Sequence, residues 1–138
     1  MRPIRTVLVL AGSLSLAACT GDSSTATSPT TTVAAPTTMT FASHLAPAGS
    51  VSRAFTTSTA GTISVTLSAF GTASEPVGIG IGVPLGSSPC SLARSVVARA
   101  SSTPQIVEAA DAGSYCVQLF DLGELRGETP FSVTIQHP

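Results

Sequence analysis

From Phe41 to the C-terminus, apolar side chains fall on alternate residues in short runs separated by clusters of Gly, Pro and Ser, and no window carries a sustained 3.6-residue apolar repeat. A period of two turns one face of each run toward a core and the other toward water, so the segment reads as all-β. The clearest runs are Thr62 to Phe70, with Ile63, Val65 and Leu67 on one face, and Phe131 to Gln136, with Phe131, Val133 and Ile135 on one face. Ser114 to Phe120 turns Tyr115, Val117 and Leu119 inward, and Pro76 to Val83 does the same with Val77, Ile79, Ile81 and Val83. Less regular candidates are Thr40 to Leu45 (Phe41, Leu45), Ser50 to Thr57 (Val51, Phe55), Ser95 to Arg99 and Pro104 to Ala109. Seven or eight strands within residues 41–138 predict a small antiparallel β-sandwich of jelly-roll or immunoglobulin-like type. A small closed barrel is the alternative, because strand spacing does not fix whether a sheet closes.

The first eighteen residues have a different logic. Arg2 and Arg5 precede an apolar and small-residue stretch from Thr6 to Ala18, and no acidic residue appears before Asp22. This is the pattern of an export signal, and the stretch falls short of the roughly 20 residues that cross a bilayer. It ends in Leu16-Ala17-Ala18-Cys19, which resembles at all four positions the lipobox of bacterial lipoproteins. The resemblance implies that Cys19 receives a diacylglycerol thioether and becomes the new N-terminus, anchoring the chain to a lipid bilayer. Cleavage near Ala17 or Ala18 by the ordinary signal peptidase is the alternative. The remaining 120 residues carry four arginines and seven carboxylates, a net charge of −3, which does not attract anionic headgroups.

Between Thr20 and Thr40, twelve of twenty-one residues are Ser or Thr, and Asp22 is the only charge. Such a stretch buries too little apolar surface to offset its ordering entropy, so residues 19–40 read as a disordered tether ahead of a domain spanning 41–138.

The ending Ala112-Gly113-Ser114-Tyr115-Cys116-Val117-Gln118-Leu119, followed by a turn and Phe131-Ser132-Val133-Thr134-Ile135, resembles the last two strands of the bacterial pre-peptidase C-terminal (PPC) domain. Gly61-Thr62-Ile63-Ser64-Val65-Thr66-Leu67 is similar to an early core strand of that family. The resemblance implies a β-sandwich that accompanies secreted peptidases. Val77 to Val83 has no acidic residue where the family's strand is acidic, a departure that weakens any carry-over of a calcium site.

With Cys19 assigned to lipid, Cys90 and Cys116 remain as a pair in an exported chain, where a disulfide is the expected state. Cys90 lies in a Ser-Ser-Pro-Cys-Ser stretch read as a turn. Cys116 is out of phase with Tyr115 and Val117, which predicts a bridge on the outer side of its sheet, tying down an irregular segment from Ser91 to Ala110. No basic cluster or histidine neighbours either cysteine in sequence, as a reactive thiolate would need.

The remaining residues offer little chemistry. Gly78-Ile79-Gly80-Ile81-Gly82 lacks the third glycine of a dinucleotide loop, and the chain has no lysine for a phosphate loop. Alternate glycines bare one face of a strand, either for close packing by the same chain or as a flat ligand groove. There is no Gly-x-Ser-x-Gly elbow, and His44 and His137 are the only histidines, so neither a catalytic triad nor a zinc set is expected. Asp121, Glu124 and Glu128 cluster in one loop, which reads as solvated, with calcium binding the sharper alternative. Tyr115 belongs to the core, leaving Phe70 and Phe120 as candidate exposed rings for a sugar. Six arginines without a lysine make no basic patch, so nucleic acid is not an expected partner. The expectation is a lipid-anchored, extracytoplasmic cell-envelope protein, periplasmic or on the outer surface. Its β-sandwich is a non-catalytic structural or protein-interaction module without a cofactor or metal, with an envelope protein as its candidate partner. A lipoprotein that binds a small molecule or glycan is the second reading, and an enzyme the third.

Overall fold

The computed structural model describes residues 35–71, 75–86 and 88–138, and the expected signal, Cys19 of the lipobox-like stretch, and most of the expected tether lie outside that range. Eight strands follow in order: β1 (Thr37–Leu45), β2 (Ser50–Thr57), β3 (Gly61–Phe70), β4 (Val77–Leu85), β5 (Ser88–Ala98), β6 (Ile106–Ala110), β7 (Gly113–Phe120) and β8 (Thr129–His137). They form two four-stranded antiparallel sheets, β1-β8-β3-β6 and β2-β7-β4-β5. Among the described residues both sheets keep free edges, so the fold is a sandwich and not a closed barrel. The eight-stranded order, in which every consecutive connection except β4–β5 crosses from one sheet to the other, is that of a jelly roll and differs from the seven-stranded immunoglobulin arrangement.

Inward rows from both sheets fill the space between them. Phe41 and Leu45 of β1, Ile63, Val65 and Leu67 of β3, and Phe131, Val133 and Ile135 of β8 face Phe55 of β2, Val77, Ile79 and Ile81 of β4, and Val117 and Leu119 of β7. Most of these side chains are fully enclosed. Phe41 meets Phe131 edge-on with centroids 5.3 Å apart, and Phe55 lies between Tyr115 and His137 at 6.0 and 5.2 Å. His137, buried at the end of β8, is therefore a core residue.

Several strand expectations are corrected. β1 begins at Thr37, so four residues assigned to the tether pair with the end of β8. β5 is an eleven-residue strand containing Cys90, not a turn followed by a short strand, and only residues 99–105 of the expected irregular segment lack strand structure. Its alternation is hidden because Arg94 occupies an inward position and the register with β4 shifts around Ala93. Phe70 is buried, not exposed, because a bulge between Leu67 and Ala69 reverses the parity of β3. Val83 is 47% exposed, because the pairing of β4 with β7 ends one residue earlier, at Gly82 and Cys116.

β6 covers β3 only as far as Val65, and the edge beyond it is closed by a loop. The Gln105 side chain accepts from the Leu67 N–H (2.8 Å) and donates to the Arg99 carbonyl (3.0 Å), while the Ser101 and Gln105 N–H groups donate to the Leu67 and Val65 carbonyls. These bonds replace ladder bonds that a longer β6 would have made.

Val65 and Thr66 are adjacent but face opposite ways, Val65 into the core and Thr66 half-buried on the outer face. Val65→Asp places an unpaired charge in that core and is expected to exceed the roughly 5–15 kcal/mol that holds a domain together. Thr66→Asp should cost about 1 kcal/mol or less. Urea unfolding followed by circular dichroism distinguishes the two, and equal tolerance would show that the register is wrong.

Candidate functional site

The outer row of β4 consists of Gly78, Gly80 and Gly82, all buried although they point away from the core. The chain itself covers them. A Cβ on Gly78 would overlap the Phe120 ring, one on Gly80 would lie 2.8 Å from Leu92 Cδ1 and 2.9 Å from the Arg94 carbonyl oxygen, and one on Gly82 would overlap the Ser91 carbonyl. The glycine row is therefore filled by close packing and offers no flat groove. Phe120, expected as an exposed ring, is half-buried on this row.

This close approach explains the disulfide. Cys90 lies on β5 and Cys116 on β7, with β4 between them, a separation of about 9.5 Å for strands spaced at roughly 4.8 Å. Their α carbons are nevertheless only 5.8 Å apart, and the two are joined. The bulge around Ala93 and the bare α carbon of Gly82 let β5 fold over β4 far enough for Cys90 to reach Cys116. The bridge lies on the outer side of the sheet, as its parity requires, yet Cys116 is wholly buried beneath it. Closing a loop with a sequence separation of 26 stabilises the domain by about 3.5 kcal/mol in the chain-entropy model.

Asp121 organises the opposite end of β7. Its Oδ2 accepts from the Ala48 N–H (2.8 Å), and its Oδ1 accepts from the Glu124 and Leu125 N–H groups (3.1 and 3.2 Å). Its own N–H donates to the Gly49 carbonyl (3.0 Å), so the turn between β1 and β2 is clamped to the loop between β7 and β8. Ala48 has a φ of 54°, a left-handed conformation that costs a non-glycine residue about 1–2 kcal/mol and that the clamp holds in place. The Ala48 N–H is the strongest influence on the carboxyl, opposed by desolvation and reinforced by the Leu125, Gly123 and Glu124 N–H groups, and together they hold it below its usual value of 3.8. Glu124 and Glu128 are exposed, and among the described residues no three His, Cys, Asp or Glu side chains are placed to share a metal ion. Asp121 thus acts as a loop clamp, a role legible in sequence only as an acidic residue following a strand.

The remaining candidates are dispersed. His44 and His137 lie at opposite ends of the β1–β8 pair. A surface depression of about 550 Å³ is lined by Ala69, Gly71, Glu128, Thr129, Pro130, Phe131 and Ser132, with Glu128 its only ionisable group among the described residues. An apolar cleft of about 80 Å³ opens beside Ile81, Val83 and Tyr115 at the β5–β6 side of the sandwich. The Tyr115 hydroxyl donates to the Asp111 carbonyl at 3.0 Å.

Gly82→Ala should force the Ser91 carbonyl off β4, cost about 1–3 kcal/mol, and leave a measurable fraction of Cys90 and Cys116 as free thiols. Thiol titration of the unfolded protein against wild type checks this. For Asp121, a lowered native pKa means stabilisation that is complete above the unfolded value near 3.9 and is lost as pH falls through the lower native value. The gap in urea midpoint between wild type and Asp121→Ala should therefore hold constant from pH 7 to about 5 and shrink below about pH 4. A gap independent of pH would show that the carboxylate charge is not involved.

No protein-family model matches this chain, and no curated protein shows significant similarity to it.

Proposed function

We propose that this chain is a bacterial lipoprotein, anchored to a membrane of the cell envelope through acylated Cys19, whose sandwich is a non-catalytic structural or protein-interaction module. The carrying observation is the Leu16-Ala17-Ala18-Cys19 sequence at the end of an export-signal pattern, combined with the use of the other two cysteines in one disulfide. That bond suits an oxidising, extracytoplasmic compartment. A diacylglyceryl group supplies two buried chains at about 0.8 kcal/mol per methylene, enough for stable anchoring without help from the acidic domain.

The glycine row filled by its own chain, and the open depression with a single ionisable group, support a module reading over a ligand-binding one. Ligand sites usually enclose most of their ligand and converge several polar groups on it. The likeness of the β7 and β8 sequences to the PPC domain supports a module of that kind, one that accompanies other envelope or secreted proteins.

Fractionation of cells expressing the full chain tests the anchor. Wild type should sediment with membranes and, by mass spectrometry, carry a diacylglyceryl group on an N-terminal Cys19. Cys19→Ser should leave the membrane fraction or remain unprocessed. Normal processing of that variant with unchanged membrane association would sink the proposal.

A further inference from the structure

The sandwich has four edge strands, β1 and β6 in one sheet and β2 and β5 in the other. Three carry a charged residue at an inward-facing position. Arg53 on β2 stands opposite Val117, Arg94 on β5 opposite Ile81, and Glu108 on β6 opposite Ile63, and each of those partners is a core residue. Arg94 and Glu108 also bind each other across the gap between the sheets at 2.7 Å. Inward charges are a recurrent device against edge-to-edge association, because a newly paired strand would bury them. β5 adds bulges, and β6 is only five residues long.

β1 has none of these protections. Its nine residues run in unbroken register with β8, without bulge, proline or formal charge, and its inward positions are Met39, Phe41, Ser43 and Leu45. Thr37 begins the inward row, and the outward row is Thr38, Thr40, Ala42 and His44, all exposed. Among the described residues, no backbone hydrogen bond outside the ladder with β8 reaches β1.

We propose that the free edge of β1 is an interaction surface for a second copy of this chain, the two β1 strands pairing antiparallel so that two four-stranded sheets become one of eight. Pairing about a two-fold axis sets each side chain near side chains of the same strand, so self-association requires a strand that does not repel itself. β1 meets that requirement because it carries no formal charge: pairing centred on Thr40 opposes Thr40 to Thr40, Met39 to Phe41, Thr38 to Ala42 and Thr37 to Ser43. The same neutrality gives it no charge with which to select an acidic or basic partner strand. Arg53 keeps the neighbouring β2 edge out of the contact, which confines pairing to one sheet. Pairing of the β1 edges does not depend on acylation of Cys19.

The test uses the full chain as wild type and with Cys19→Ser, so that failure of the lipid anchor is read separately in the fractionation. In the Cys19→Ser chain, light scattering over a concentration series should show a monomer–dimer equilibrium. Ser43→Lys, which copies the inward charge of the other edges, and Thr40→Lys on the outward row should each weaken it at least about tenfold while leaving the circular dichroism spectrum unchanged. If Ser43→Lys fails to fold, Thr40→Lys alone decides. Under mild oxidation, Thr40→Cys should give a disulfide-linked dimer, and Thr134→Cys, opposite it on β8 and one strand removed from the edge, should not. A monomer at every concentration, a dimer indifferent to Thr40→Lys, or equal cross-linking at both positions overturns the proposal.

Discussion

The absence of side chains along the outer row of β4 is the constraint on which the rest of this domain depends. With Gly78, Gly80 and Gly82 bare, Phe120, Leu92 and the Ser91 backbone settle directly onto the sheet, and β5 closes far enough for Cys90 to meet Cys116 across an intervening strand. Only 4% of the chain is aromatic and none of it is tryptophan, so the core is built mainly from Ile, Val and Leu around a few phenylalanines. Close backbone packing and one covalent link compensate in a domain of about a hundred residues, where the surface-to-volume ratio limits what a core can supply.

Much of this was legible in the sequence, and what was not has a common physical cause. Period-two runs located the inward rows of β3, β7 and β8 and most of that of β4, because those strands are central and bury one face completely. The even cysteine pair gave the disulfide. Alternation failed where a strand changed register or carried a charge inward, whereas the edge strands β1 and β2 followed it at Phe41, Leu45 and Phe55. The start of β5, Ser88-Pro89-Cys90-Ser91, reads as a turn from its composition, its remainder carries Arg94 inward and a bulge, and the bulge before Ala69 sends Phe70 into the core against its expected direction. Asp121 was recognised as an acidic residue in a loop, but its binding to Ala48, 73 residues earlier, depends on tertiary contact alone. Gln105 left no signal at all, because its role exists only where β6 stops short of β3.

The charged residues have an economy of placement that bears on function. With 9% of the chain charged, three of the few charges in the sandwich guard three of its edges, and the remaining edge is neutral and regular. In the proposed lipoprotein, the tether leads directly into that same strand. Confinement to a membrane would raise the local concentration of β1 edges, so that even a weak self-pairing would be populated.

Residue-resolved amide hydrogen exchange on the domain with its disulfide intact and then reduced tests whether the glycine row holds β5 over the sheet. The amides of β4 and β7 should be among the most protected in the oxidised protein. Reduction should release β5 first, while β3 and β8 retain their protection, because β5 is held over the glycine row by the bridge and the others by the core. Rapid exchange along Gly78–Gly82 in the oxidised state, or a uniform loss of protection on reduction, would contradict this arrangement.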